Sequence, residues 1–230
     1  MLTEFVFNEI VWVFVLAFYA IFILLFFTRK TYDLMISRGV KKSSAVYFNR
    51  KLVHIFAGGV IVLIVPHVFS SPWYPLLSGL VLAVFMYSLH RTGRILFWFQ
   101  TREDVNDVNF CFMWALAVFI LWWVTGSPWI AIIPPAFMAF GDGITGIIRN
   151  LAFKERVKHP IGNLYMACVC IPIGYYFGSI EGIALWGVIA AVVASIVEKF
   201  EIGPVDDNVL ITVTSLAVLI FGKWFGPITF

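Results

Sequence analysis

Residues 10–27 read IVWVFVLAFYAIFILLFF, an apolar run without a charged residue. A membrane-spanning helix needs about 20 predominantly apolar residues, so this run is predicted to cross a bilayer. Seven similar runs follow, and only a short turn separates the sixth run from the seventh. A seven-helix bundle with one re-entrant segment is therefore the alternative to eight spans. We predict an all-α bundle of eight transmembrane helices, over residues 10–27, 52–69, 74–89, 110–124, 129–148, 162–177, 182–197 and 209–225.

The composition of the whole chain also indicates a membrane protein. Hydrophobic residues make up 61% of the 230 residues and charged residues 13%, with a mean hydropathy of +0.94. A soluble domain averages about 45–50% apolar and about 25% charged residues. A soluble fold, a disordered chain, a coiled coil and a secreted disulfide scaffold are therefore excluded. Because the apolar runs fill most of the chain, we predict a single transmembrane domain over residues 1–230.

The positions of the basic residues predict how the bundle is oriented. Of the 16 Lys and Arg residues, all except Lys223 fall in alternate loops between the predicted helices. Loops rich in Lys and Arg face the cytoplasm, so both chain termini are predicted to lie outside. We expect the chain in a prokaryotic cell membrane, or in the endoplasmic reticulum if it is eukaryotic.

The motif FGDGITG at residues 140–146 places an acidic residue inside an apolar run. Ionisable residues within a membrane are costly and usually functional, which makes Asp142 a candidate catalytic residue. A basic segment follows, and its charges and the backbone amides at the next helix start suit phosphate groups. Its candidate phosphate-binding residues are Arg149, Lys154, Arg156, Lys158, His159, Gly162 and Asn163.

Two further polar clusters are predicted on the same face of the membrane. In the first, Arg50 and His54 are four residues apart and share one helix face, with Lys51 between them. Histidine relays protons or, when charged, binds an anion. The second cluster offers carboxylate and amide oxygens, the ligands that magnesium prefers. It consists of Glu198, Asp206, Asp207 and Asn208.

Taken in order, these motifs resemble those of the polyprenol kinase family of membrane enzymes. The family includes phytol kinase, dolichol kinase and CTP-dependent diacylglycerol kinase, and the phytol kinase branch is the most similar. The similarity covers residues 47–214, most of the chain. It is carried by Arg50-Lys51-Leu52-Val53-His54-Ile55, then Gly141-Asp142-Gly143 with the basic segment, then Glu198 with Asp206-Asp207-Asn208.

The resemblance implies transfer of the terminal phosphate of CTP, with ATP as the alternative donor, to the hydroxyl of a polyprenol-type alcohol. Dolichol, phytol and geranylgeraniol are such alcohols. The catalytic residues would be Asp142, His54, Arg50 and Lys51. The nucleotide would be bound by Arg149, Lys158, Gly162 and Asn163, and Mg²⁺ by Asp142, Glu198, Asp206, Asp207 and Asn208. Either His54 or a carboxylate would take the hydroxyl proton.

The partners implied are the lipid alcohol, the nucleoside triphosphate and the lipid bilayer, without nucleic acid. A monomer and a homodimer are both compatible with the sequence.

Two other functions account for part of the same pattern. A CTP-dependent cytidylyltransferase would use the same nucleotide and metal, but it would make a CDP-lipid and release pyrophosphate. The chain lacks the carboxy-terminal Pro-Gly-His-Gly-Gly stretch of phosphatidate cytidylyltransferases. A small transporter would use Asp142 and His54 as an ion path, which needs polar residues through the whole membrane. The predicted outer loops carry few charges, so the sequence favours the kinase.

Overall fold

The computed structural model describes residues 2–153, 158–200 and 205–228, which form helices joined by short loops. Three short π-helical segments interrupt these helices, at Phe22–Phe27, His54–Gly59 and Phe137–Asp142. The α-helices in chain order are α1 (Leu2–Ile21), α2 (Thr28–Ser37), α3 (Lys42–Val53), α4 (Val60–Val68), α5 (Trp73–Thr92), α6 (Asn106–Thr125), α7 (Pro128–Ala131), α8 (Ile133–Ala136), α9 (Gly143–Phe153), α10 (Pro160–Ile180), α11 (Ala184–Val197) and α12 (Asp207–Phe225).

Within these described ranges, seven continuous helices are long and apolar enough to cross a membrane. They are Phe7–Ser37, Lys42–Val68, Trp73–Thr92, Asn106–Thr125, Pro128–Phe153, Pro160–Ile180 and Asp207–Phe225. The prediction of a multi-pass helical membrane protein is confirmed at this level. The run over 182–197 forms α11, a shorter apolar helix, so the count of eight spans stays a prediction.

Helix α11 nevertheless runs along most of the length of α10. Its 14 residues extend about 21 Å at about 1.5 Å per residue. At one end Ile183 N donates a hydrogen bond of 2.8 Å to the Gly178 carbonyl of α10. Just beyond the other end, the Glu198 carboxylate lies 3.0 Å from Asn163 Nδ2 in the first turn of α10. The two helices are therefore antiparallel partners, and α11 does not turn back halfway.

Glycines let α10 and α11 approach each other closely. A Cβ on Gly174 would collide with the Gly187 carbonyl, and a Cβ on Gly187 would collide with the Gly174 carbonyl. Gly182 has a φ of +75° in the turn between the helices, a conformation that glycine adopts without steric cost. These glycines thus pack helices within one chain, and the homodimer stays a prediction.

Polar contacts collect at the two ends of the bundle. One end, which we call the site end, holds the ion pairs Arg50–Asp104, Lys51–Asp142, Arg149–Glu198 and Lys158–Asp207. The opposite end holds the contacts Glu9–Ser70, Ser127–Glu181 and Lys223–Glu181. The clusters predicted to share a membrane face therefore do lie at one end. The cytoplasmic orientation of that end stays a prediction.

Two of the π-helical segments carry residues of the candidate site. The segment His54–Gly59 begins at His54, and the segment Phe137–Asp142 ends at Asp142. Such segments are rare and are frequently found at functional sites. His54 and Asp142, two of the candidate catalytic residues, therefore each lie at one end of a π-helical segment.

Candidate active site

Asp142 is the centre of the site end. Its carboxylate accepts hydrogen bonds of 2.7 and 2.6 Å from the Lys51 ammonium. The same carboxylate lies 3.1 Å from His54 Nδ1. All three side chains are buried, so little water screens their interaction. Asp142 thereby both neutralises the lysine and fixes the orientation of the imidazole.

The glycines around Asp142 make room for its partners. A Cβ on Gly146 would collide with the Lys51 side chain. A Cβ on Gly143 would come within 2.6 Å of the Ile55 side chain. The glycine-rich motif therefore allows the helix that carries Lys51 to lie directly against the turn after Asp142.

Arg149 forms a second buried ion pair, with Glu198. Its Nη1 and Nη2 lie 2.7 and 2.9 Å from the two carboxylate oxygens, and each side chain is 1% exposed. The guanidinium also donates to the His159 carbonyl and to Asn163 Oδ1. A Cβ on Gly162 would collide with this guanidinium, and Gly162 N itself donates to the His159 carbonyl at 3.1 Å. Most N–H donors of Arg149, and the backbone amide of Gly162, therefore already form hydrogen bonds within the protein.

Lys158 connects this pair to a third carboxylate. Its Nζ lies 2.7 Å from Asp207 Oδ2, 2.9 Å from the Glu198 carbonyl and 3.3 Å from Glu198 Oε1. Burial alone would lower the pKa of Lys158, but the charges of Asp207 and Glu198 outweigh it and hold the pKa above its ordinary value. The ammonium therefore stays charged at neutral pH.

Three carboxylates meet at the centre of these contacts. Asp142, Glu198 and Asp207 each offer one oxygen, and the three oxygens lie within 4.8 Å of one another. Oxygen ligands of magnesium lie about 3–4 Å apart, so a small movement would bring these three together on one ion. The donor set thus fits magnesium if the lysine ammoniums turn away. In the structure three cations balance the carboxylates: Lys51, Arg149 and Lys158.

Asp206 lies beside this group because it caps helix α12. Its Oδ1 accepts a hydrogen bond of 3.1 Å from Val209 N, as in helix N-caps generally. Its Oδ2 accepts from the side chains of Asn109 and Asn208. Burial, together with the charge of Asp207, raises the pKa of Asp206 above its ordinary value. Of the predicted magnesium ligands, Asp206 is thus held by the start of α12 and by Asn109 of α6, and it does not belong to the group of three carboxylates.

Arg50 pairs with Asp104, a residue that the sequence did not single out. The Arg50 Nη1 lies 2.8 Å from Asp104 Oδ1, and the Thr101 hydroxyl donates to Oδ2 at 2.9 Å. Burial would raise the pKa of Asp104, but the Arg50 guanidinium outweighs it and lowers the pKa below its ordinary value. Glu103 precedes Asp104 and Asp107 follows shortly after. Nothing in their spacing indicates which of the three faces Arg50.

A small polar cavity lies among these side chains. Its volume is about 10 Å³, which is room for about one water molecule. In the described part of the chain, His54 Nε2 and Asn208 Oδ1 are the buried side-chain atoms without a hydrogen-bond partner. Unpaired buried polar atoms are uncommon and often mark a place where a ligand binds. Both belong to the residues that line the cavity, which are Tyr47, Arg50, Lys51, His54, Asn106, Lys158, Asp207 and Asn208.

The chemistry of this site has to be argued from its own residues. No family model, curated protein or solved structure matches the chain. Among the sequence-predicted residues, Lys154 and Arg156 lie outside the described residues. The structure brings the other predicted residues to the site end, namely Arg50, Lys51, His54, Asp142, Arg149, Lys158, His159, Gly162, Asn163, Glu198, Asp206, Asp207 and Asn208.

We expect Glu198→Gln to destabilise the protein. The change would leave the buried Arg149 guanidinium without its counter-charge, and breaking a buried pair costs about 3–5 kcal/mol. Thermal unfolding in detergent measures this loss as a lower midpoint. The matched control is Glu103→Gln, because Glu103 is an exposed acidic residue at the same end. Equal midpoints for the two variants would show that the Arg149–Glu198 pair does not hold the fold together.

Proposed function

We propose that the chain is a magnesium-dependent membrane kinase that transfers the terminal phosphate of CTP, or of ATP, to a polyprenol-type alcohol. The transfer of a phosphoryl group depends mainly on charge neutralisation and positioning. A group with both signs of charge, at the end of an apolar bundle, supplies these conditions where a lipid hydroxyl lies. The observation that carries the proposal is this group of side chains: Asp142, Glu198, Asp207, Lys51, Lys158 and Arg50.

In the proposed reaction, the alcohol oxygen attacks the terminal phosphorus in line with the bond to the bridging oxygen. That bond breaks, the alcohol becomes a monophosphate ester, and CDP leaves. The hydroxyl proton passes to His54 Nε2, which lines the polar cavity and has no hydrogen-bond partner. The protein's part is to hold the reacting groups and to balance their charges.

His54 is better placed than a carboxylate to take this proton. An ionised Asp142 only accepts hydrogen bonds, so the 3.1 Å contact requires a hydrogen on His54 Nδ1. In the neutral imidazole, Nε2 is then an acceptor. Each clustered carboxylate, by contrast, pairs with a lysine or arginine in the structure and would hold the magnesium ion during the reaction. The Phe110 ring stacks on the imidazole at 4.1 Å between centroids and fixes its plane.

The cations of the site exchange their partners when a substrate binds. A cavity of about 10 Å³ is too small for a triphosphate, so Lys51 and Lys158 have to leave the carboxylates. Their ammoniums then neutralise phosphate oxygens. Asp142 and Asp207 are thereby released, while Glu198 keeps its pair with Arg149. Magnesium bound there would supply further charge neutralisation at the phosphates. Three side chains would hold it: Asp142, Glu198 and Asp207.

The products of a purified preparation test this proposal directly. We expect CDP and a lipid monophosphate when the protein in detergent is incubated with magnesium, CTP and a polyprenol. Mass spectrometry identifies both products, and ATP and diacylglycerol are offered in parallel. Pyrophosphate with a CDP-lipid would overturn the kinase in favour of a cytidylyltransferase. No product from any combination would also overturn it, and transport assays would follow.

Removal of divalent cations provides a second expected result. We expect EDTA to abolish turnover and added Mg²⁺ to restore it, because the clustered carboxylates would otherwise face the triphosphate without a counter-charge. The measurement is the rate of CDP release at fixed nucleotide concentration. A protein that keeps its full rate in EDTA would contradict the role given to the three carboxylates.

A further inference from the structure

A second and larger cavity adjoins the polar one. It has a volume of about 910 Å³ and lies between helix α3 and the loop 93–105. From α3 it is lined by Lys42, Val46 and Arg50, which are spaced four residues apart on one helix face. From the loop it is lined by Phe97 and Thr101, among others. We call this cavity the α3 cleft.

The loop that forms one wall of the α3 cleft is firmly anchored. The Trp98 indole donates to the Leu24 carbonyl at 3.0 Å, and the Trp98 carbonyl accepts from Asn49 at 2.9 Å. Phe99 is 1% exposed and packs in one apolar cluster with Leu24 and Met86. The cleft is therefore a formed feature of the fold, available to a ligand without ordering of the loop.

The α3 cleft lies beside the part of the bundle that extends beyond a bilayer. The helix Phe7–Ser37 has 31 residues. At about 1.5 Å per residue it is about 46 Å long, which exceeds a hydrocarbon core of about 30 Å. Its polar last part, Thr28–Ser37, packs against α3. Lys42 and Arg102 are exposed at the cleft, so a water-soluble anionic ligand can reach it.

The α3 cleft shares a wall with the candidate active site. Tyr47 and Arg50 line both cavities. The Arg50–Asp104 ion pair stands at this boundary, and Lys51 and His54 lie beyond it. A ligand that lies in the cleft with an anionic end therefore meets Arg50 first and the reacting groups next.

We propose that the α3 cleft binds the base and ribose of the nucleoside triphosphate, whose phosphates extend past Arg50 into the polar cavity. This inference rests on the proposed function, because it locates the nucleotide of that kinase. Pockets for small ligands measure about 300–1,000 Å³, and the cleft lies in this range. Phe97 is 40% exposed, with the Arg29 guanidinium 4.7 Å from its ring centroid, and offers an aromatic surface against which a base can pack. The charged residues that line the cleft are Lys42, Arg50, Arg102, Glu103 and Asp104, so it carries both signs of charge with one more positive than negative.

Two variants test whether the cleft holds the nucleoside. Ser43→Trp fills the cleft from an exposed position, and Phe97→Ala removes a ring from its wall. We expect each to raise the Kd of the non-hydrolysable β,γ-methylene analogue of CTP about tenfold. The Kd of inorganic triphosphate should stay at the wild-type value, because the phosphates bind elsewhere. Ser37→Trp is the matched control, since Ser37 is also exposed at this end but does not line the cleft.

The outcomes separate this inference from the proposed function. If the wild type makes CDP and both cleft variants bind the analogue as it does, the nucleoside lies elsewhere and the kinase stands. If the variants instead raise the KM of the polyprenol alone, the cleft belongs to the lipid and the inference is overturned. If the wild type binds neither the analogue nor inorganic triphosphate, the inference and the proposed function both fall.

Discussion

Asp142→Asn is expected to lower turnover about 10³-fold, the size of effect seen when a fixed electrostatic group is removed from an active site. The amide keeps the size of the side chain but loses the charge that Lys51 and His54 share. It also removes one of the three clustered oxygen donors. The rate of CDP release, at saturating CTP and polyprenol, measures the effect on kcat.

Asp142→Asn also affects stability, so a control has to separate the loss of turnover from the loss of folding. Without Asp142 the buried Lys51 ammonium has no counter-charge, which costs about 3–5 kcal/mol when one partner of a buried pair is removed. Thermal unfolding in detergent therefore accompanies each rate. Asp107→Asn is the matched control, because Asp107 is also an acidic partner of a histidine at the site end, 2.9 Å from His90. Wild-type turnover by a folded Asp142→Asn protein would exclude a catalytic role for Asp142.

The membrane-spanning helices could be predicted because each of them contains a long, predominantly apolar run. The seventh run, residues 182–197, also forms an apolar helix, but that helix begins two residues later than the run. In the structure Gly182 has a positive φ and Ile183 precedes the helix, so α11 begins only at Ala184. Hydropathy records that a residue is apolar and does not record whether its backbone is helical.

Asp142 could also be identified as a candidate site residue from the sequence, for a physical reason. A carboxylate within an apolar helix needs a cation, and the glycines beside it indicate that something approaches closely. In the structure Lys51 is both the cation and the closely approaching group, because it binds Asp142 and lies against Gly146. The π-helical turns that place His54 and Asp142 have no comparable signature in the order of residues.

The pairing of the remaining charges could not be predicted. The sequence offers Glu198, Asp206 and Asp207 as equivalent oxygen donors. The structure separates them, because the backbone amide of Val209 and two asparagines hold Asp206 at the helix start. Long-range partners such as Arg149 for Glu198 depend on how α9, α10 and α11 pack. That packing is set by contacts distant in sequence, so it leaves no local pattern.

His54→Asn is expected to lower kcat about 10²-fold, the lower range for loss of a general base, and to leave the KM for CTP unchanged. The asparagine amide can still donate toward Asp142, as His54 Nδ1 does over 3.1 Å. It cannot replace Nε2 as a proton acceptor. The substitution thus removes the proposed base while keeping the charge balance of the Lys51–Asp142 pair, and the fold should be stable.

The pH profile of kcat distinguishes a proton acceptor from a residue that only fills space. The wild-type rate should fall as the pH decreases through the pKa of His54, because a protonated Nε2 has no lone pair to accept the hydroxyl proton. In His54→Asn this acid limb should disappear from the residual rate, and only the titration of the nucleotide phosphates should remain. His67→Asn is the matched control, since His67 lies on α4 and packs against Trp129, away from the site. An acid limb that persists unchanged in His54→Asn would assign the proton to another acceptor.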